Sequence, residues 1–335
     1  MKRTTAWLII VSVLSILVTP IGLRDSWAQK AGRVYRLGIV LHGKPLPKDA
    51  PPPDFSKSKG PMHAFLQRLA ELGYVEGKNL VLELRPGDFG QLKAFALALA
   101  RDKVDVIFTI GVRVGHIVQS AVKTTPIVFF SCDPFEHVTQ LAHPGSNVTG
   151  STCMSSELSP KRLELLKELI PQASRVAYFS DPKENPTEWK RSREAAPPLG
   201  VTLKAFGYQD RKELPDALKV VANWRPDAFF VAPDGILFAE RKQLAKFALT
   251  QHLPSIYPFP SFAEAGALMA YGPSVPEMFV VAAEQVATVL GGERPGDVPV
   301  RRATIFHLVI NLKTARALNI QIPQSLLLQA DRVIE

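Results

Sequence analysis

Residues 104–130 read VDVIFTIGVRVGHIVQSAVKTTPIVFF, and this stretch decides the fold. Residues 104–110 are a short apolar run rich in Val, Ile and Phe. Residues 114–122 repeat apolar side chains at helical spacing, and residues 127–130 form a second apolar run. A buried strand, a helix and another buried strand in that order imply a parallel pair joined by a crossover helix. The rhythm extends in both directions. Upstream, strands at 35–41 and 80–84 alternate with helices at 62–72 and 89–101. Downstream it restarts, with strands at 175–179, 201–205, 228–231 and 254–257 separated by helices at 188–196, 212–221 and 238–250. Two such series predict two doubly wound parallel-sheet α/β lobes. The first series ends near Asn147 to Gly150, and Ser159-Pro160 reads as the cap and first turn of a new helix. A domain crossing is therefore expected close to Gly150.

Composition sets the surroundings. Lys2 and Arg3 precede an apolar run at 7–18, and Ser26-Trp27-Ala28 places small residues where signal peptidase reads them. The run is shorter than the roughly 20 residues that span a bilayer. Residues 1–28 are thus expected to be a cleaved signal peptide, with Gln29 as the mature start. Its loss removes three cations and one anion, taking the formal charge from +9 to +7. The excess is scattered, without the aromatic-basic interleaving of a nucleic-acid surface. No Cys precedes Cys132, so a lipid-modified N-terminal cysteine is not expected. A mature chain of 307 residues suits two domains, since single cores stop growing at about 250–300 residues. Cys132 and Cys153 leave one disulfide and two buried thiols both open, with the thiols favoured. Neither these cysteines nor the seven histidines show metal-ligand spacing, so no metal and no cofactor is expected. Residues 45–59, with Pro51-Pro52-Pro53 inside, read as an irregular loop.

Several stretches match a known family in order. They include LGYVEGKN at 72–79, TPIVF at 125–129, Asp133-Pro134, PGSNVTG at 144–150 and KRLELL at 161–166. The C-terminal part follows with EAGALMAYGPSVPEMF at 264–279, INLKTARALNI at 310–320 and IPQSLLLQADRVIE at 322–335. Nearly the whole mature chain resembles the bacterial substrate-binding proteins of ABC importers, a group that includes tryptophan-binding-protein-like receptors. The resemblance implies a type I periplasmic-binding-protein-like fold, whose two lobes are joined by a hinge of three crossings. The second crossing would fall at Gly272-Pro273-Ser274 and the third near 306–311. Lobe 1 would then comprise residues 29–150 plus 276–306, and lobe 2 residues 151–275 plus 307–335.

In open parallel sheets, ligands lie beyond the carboxyl ends of the strands, where helix N-termini offer free N–H groups. In the first lobe this rule selects His42, then Gly111, Val112 and Arg113, then Ser131 and Asp133. In the second it selects Asp181, Asn185, Asp234 and Tyr257, with Tyr271 near the hinge. Each has a bland competitor. Asp133 and Asp234 suit helix caps, Arg113 a solvated first turn, His42 a cleft wall and Tyr271 hinge packing. The chain also departs from the family's pattern. Gly111-Val112-Arg113 stands where a small hydroxyl residue is common, so a cation is gained. Asp234-Gly235-Ile236-Leu237-Phe238 replaces polar partners by apolar ones, and Pro260-Ser261 stands where Arg-Glu is common.

Catalysis is not expected. There is no G-x-S-x-G elbow, and no Ser, His and Asp fall at strand ends in a recognisable order. The resemblance implies a periplasmic solute-binding protein, not an enzyme, that delivers a small molecule to the permease subunits of an ABC importer; nothing in the sequence argues against a monomer. An amino acid or other small carboxylate, with aromatic amino acids the best-known ligands of the family, is the expected ligand. A sensory receptor for a membrane kinase and a secreted α/β hydrolase or isomerase are the rivals.

Overall fold

The computed structural model of the chain describes residues 32–47, 60–180 and 185–335. The expected signal peptide, most of the Pro-rich segment and Asp181 lie outside them. The first sheet contains β1 (Tyr35–His42), β2 (Leu80–Gly87), β3 (Val106–Ile110), β4 (Ile127–Ser131), β5 (Val148–Thr152) and the two-residue β11 (Arg301–Arg302). Its order is β11-β5-β4-β3-β1-β2. The second contains β6 (Arg175–Phe179), β7 (Thr202–Phe206), β8 (Ala228–Val231), β9 (Ser255–Tyr257), β10 (Met269–Gly272), β12 (His307–Asn311) and β13 (Arg332–Ile334). There the order is β13-β12-β10-β9-β8-β6-β7. Each lobe thus repeats one arrangement, in which the second strand lies outside the first and the third to fifth follow on the other side. All pairings are parallel except β10 with β12.

Apolar runs on both faces explain the burial. In β3, Val106 and Phe108 join one core, while Ile107 faces another. The first is covered by α1 (Pro61–Glu71) and α10 (Val275–Leu290), where Phe279 meets Phe65, Phe108 and Phe130 edge-on at 5.2–6.4 Å. The other is covered by α2 (Phe89–Arg101) and α3 (Val112–Ala121). In the second sheet, α4 (Ser155–Leu169) and α5 (Pro186–Ala195) pack on the face carrying Tyr178 and Phe230. Helices α6 (Leu214–Trp224), α7 (Gly235–Ala239), α8 (Arg241–Thr250) and α9 (Pro260–Glu264) pack on the face of Phe179 and Phe229. Short helices α11 (Leu312–Ala317) and α12 (Gln324–Gln329) complete the chain.

Helix α10 follows the second sheet in sequence but packs on the first. Its Gln285 donates from Nε2 to Gly150 O and Pro299 O at 2.9 and 2.8 Å. Strand β5 stays in the first sheet through Thr152, so the chain leaves that sheet a few residues after Gly150. Gly150 itself is required by close approach, since a Cβ there would lie 2.1 Å from Phe129 O. Cys132 and Cys153 each follow the last register pair of β4 and β5, Ser131 with Thr152, and form a disulfide with Cα atoms 4.8 Å apart. The favoured reading of two thiols is corrected here, because adjacent parallel strands end side by side.

A second correction concerns α4. It starts at Ser155, after Met154 in the left-handed region, and Pro160 lies inside it. Proline cannot donate to the carbonyl of Ser156. The Ser159 hydroxyl donates to that oxygen instead, at 3.1 Å, so the helix runs on. Asn147, just ahead of β5, has a structural use. The Asn147 amide is buried and donates to Thr125 O and Val122 O at 2.7 and 3.3 Å.

Candidate functional site

Strand order locates the site before any side chain is considered. In each sheet the direction of winding reverses between the first and third strands, β1 and β3 in one lobe, β6 and β8 in the other. The strand ends at such a reversal leave a crevice for ligand. In the first lobe these ends carry His42 and Gly111. Gly111 has φ +103°, a conformation that favours glycine, and donates its N–H to Phe130 O at 2.9 Å. It turns the chain from β3 into α3, so Val112 and Arg113 open the helix at the crevice.

Arg113 does not stand as a bare cation. Its guanidinium lies 3.9 Å from the centre of the Phe89 ring, and the His42 ring stacks on the same phenyl at 4.2 Å. Phe89 is the first residue of α2, after β2, and was missed because the strand-end rule was applied to the first, third and fourth strands only. Extending it to the second would have found Phe89. His42 is held below its ordinary pKa by burial, which outweighs the carboxylates of Asp234, Asp88 and Asp210; Arg113 adds to the lowering. Asp234 and Asp210 belong to the second lobe, so His42 faces that lobe across the crevice.

In the second lobe, Asn185 fastens the two strand exits together. Its Nδ2 donates to Ser180 Oγ, after β6, at 3.3 Å and to Pro233 O, after β8, at 3.0 Å. Asp234 caps α7, with Oδ1 accepting from the N–H groups of Ile236 and Leu237 at 2.6 and 3.1 Å. This is the helix-cap role. The carboxylate still contributes to the field at His42. Ser131 and Asp133 leave β4 fully buried. Ser131 Oγ donates to Asp133 O and accepts from Asp133 N–H at 3.0 and 3.2 Å. Burial raises the Asp133 carboxyl above its ordinary range, opposed by Thr187 of α5.

The structure therefore groups His42, Gly111, Val112, Arg113 and Asp234 around the crevice, with Asn185 behind it and Ser131 and Asp133 deeper between the lobes. Tyr257 is not brought there. Its ring is fully buried against Phe262, and its hydroxyl donates to Leu244 O at 3.4 Å. A strand-end position does not settle which face a side chain takes, and here the core face won. Tyr271 is half-buried on β10, opposite Leu308 of β12 and 6.5 Å from Phe306, where the chain passes between the sheets. Burial and the Asp331 carboxylate hold its hydroxyl above the ordinary tyrosine value.

A second polar group missed by sequence lies under α4 and α5. Arg162 is 0% exposed and Glu188 1%, with Nη2 and Oε1 3.0 Å apart. Arg162 sits on a helical stripe with Ser155, Ser159, Leu166 and Leu169, all buried. An arginine within a buried stripe was the available signal. Among the described residues no cluster suits a metal ion, and no helix is long and apolar enough to cross a membrane.

Comparison with known proteins agrees with this fold. A conserved domain protein from Vibrio cholerae superposes with a TM-score of 0.79 at 25% identity, covering 90% of this chain and 100% of that one. A Streptococcus ABC domain solved in complex with L-Trp gives 0.77 at 22% identity, with the same coverage. A tyrosine-binding protein of Clostridioides difficile is 26% identical over 277 residues, 80% of this chain and 78% of that protein. The family model for ABC transporter substrate binding proteins matches residues 59–334. With two switch-point lobes facing each other and the match running through both, this chain belongs to the ABC transporter substrate-binding protein family.

Proposed function

We propose that this protein is the periplasmic solute-binding component of an ABC importer. It holds an amino acid or another small carboxylate, with an aromatic side chain favoured, between two hinged lobes. One lobe would comprise residues 29–150 and 276–306, the other 151–275 and 307–335, with Gln29 as the exported N-terminus. The observation that carries this reading is the pair of opposed switch points, with His42 and Arg113 on one side and Asp234 on the other. Gly111 and the first turn of α3 supply backbone N–H groups, and Arg113 supplies a cation, for an anionic end of the ligand. The tyrosine-binding name of one relative and the L-Trp complex of another structure support an aromatic amino acid.

Mechanism follows from differential contact. A ligand that touches both lobes binds the closed arrangement better and shifts the population toward it. The closed form is then what the permease subunits receive, from a monomer. A melting-temperature screen against amino acids, L-tyrosine and L-tryptophan first, tests the ligand class. At about 100 times its dissociation constant a true ligand stabilises by roughly 2.7 kcal/mol. No shift with any carboxylate in the panel would sink the proposal.

A further inference from the structure

Asp133 is a buried ionisable group whose place the crevice alone does not explain. It leaves β4 in the first lobe, yet its carboxylate faces the hydroxyl and backbone N–H of Thr187, in the first turn of α5 in the second. The side chain is buried, and neither oxygen reaches full hydrogen-bond geometry. Helix α5 has room for such a partner. Its own N-cap residue, Asn185, makes no capping bond and spends its amide on Ser180 and Pro233. Two fastenings hold Asp133 to its own lobe. Ser131 Oγ bonds both its N–H and its carbonyl, and the Cys132–Cys153 bridge anchors the preceding residue to the end of β5.

The charges facing it come from every neighbouring element. From α4 there is Glu157, 3.5 Å from Arg191 of α5, while Arg162 of the same helix pairs with Glu188. From α5 there is Glu188, from β6 the Tyr178 hydroxyl, and from its own loop Glu136. Glu188 Oε2 and the Tyr178 hydroxyl are themselves buried without partners. Arg162 Nε and Nη1 are likewise buried without partners, and a protonated Asp133 would bring a donor where Glu188 Oε2 is an acceptor still to be met.

We propose that Asp133 is a proton-sensitive latch between the lobes, such that closing moves its carboxyl from water to a site beside Thr187 and the Arg162–Glu188 pair and takes up a proton there. The latch rests on the hinge-closing reading given above. Its sign follows from burial, which raises the Asp133 carboxyl in the closed arrangement, with Glu136 and Glu157 adding to the rise and Thr187 opposing it. A group that binds its proton more tightly when closed favours closure at low pH. That advantage is complete below the open-state value and is lost as pH rises through the closed-state value. Between the two, one proton changes the closed-to-open ratio by up to about tenfold per pH unit.

Small-angle scattering of the ligand-free protein at about pH 7.5 and at about pH 4, the ordinary value of an aspartate in water, tests this. The wild type should be more compact at the lower pH. Asp133→Asn, permanently neutral and of the same shape, should be compact at both. A wild-type radius unchanged by pH, in a protein that L-tyrosine or L-tryptophan still compacts, overturns the latch and leaves the hinge standing. No compaction by pH or by either probe ends both. If Asp133→Asn folds and keeps the wild-type pH response, the proton resides elsewhere and the latch is wrong. If it does not fold, the wild-type pH series decides alone.

Discussion

Arg162→Ala removes the cation paired with Glu188 in a site that water does not reach. The pair is 3.0 Å apart and both side chains are at most 1% exposed. Arg162 Nη2 also donates to Ser155 O at 2.8 Å and to Ser155 Oγ at 2.5 Å, and its guanidinium lies 5.4 Å from the Phe230 ring centre. Truncation leaves Glu188 buried without its cation, on top of a cavity the size of the lost side chain. Breaking such a pair by removing one partner costs about 3–5 kcal/mol. The native pair is not itself fully satisfied, since Arg162 Nε and Nη1 and Glu188 Oε2 have no partner. A double change, Arg162→Met with Glu188→Gln, should therefore recover most of the loss, because it removes both charges and keeps the volume. The assay is urea unfolding followed by circular dichroism, with the slope compared between variants to check that the transition stays two-state. Acid should narrow the gap, because burial pushes the Glu188 carboxyl up and protonation relieves the orphaned charge in Arg162→Ala. A loss below about 1 kcal/mol would place the pair in water and refute the reasoning.

Two further changes test other parts of the account. Arg113→Ala should weaken binding of a carboxylate ligand by about 2–5 kcal/mol if the guanidinium meets it in a desolvated crevice, whereas calorimetry showing under tenfold loss returns Arg113 to a packing role on Phe89. Replacing Cys132 and Cys153 together by Ser opens a loop of 21 residues' separation and should cost roughly 3 kcal/mol of unfolding free energy, read by denaturant midpoint.

Much of the architecture was legible because parallel strands buried on both faces read as continuous apolar runs. Residues 175–179 and 228–231 match β6 and β8 end to end. The two- and three-residue strands β11 and β13 carry too little sequence to show a period. Helix α4 was misplaced because Ser159-Pro160 mimics a helix start, and only the hydroxyl of Ser159 standing in for the missing N–H explains why the helix passes through it. The strand-end rule placed His42, Gly111 and Asp234 at or just beyond the ends of β1, β3 and β8, since it depends on topology alone. It could not tell that Tyr257 turns inward, nor that Asp133 reaches a helix of the other lobe, because both outcomes depend on how the elements pack. Phe89 shows the converse: aromatic packing between α2, β1 and α3 joins residues that lie far apart in the chain.

The central claim is that two lobes close on a small carboxylate. It is tested most directly by small-angle scattering of the purified protein at fixed neutral pH, with and without saturating L-tyrosine or L-tryptophan, or whichever small molecule co-purifies by mass spectrometry. Closure on the ligand should give a smaller radius of gyration, together with a raised melting temperature from mass action on the native state. A ligand that raises the melting temperature but leaves the radius unchanged would contradict it, and would make binding an event of one lobe.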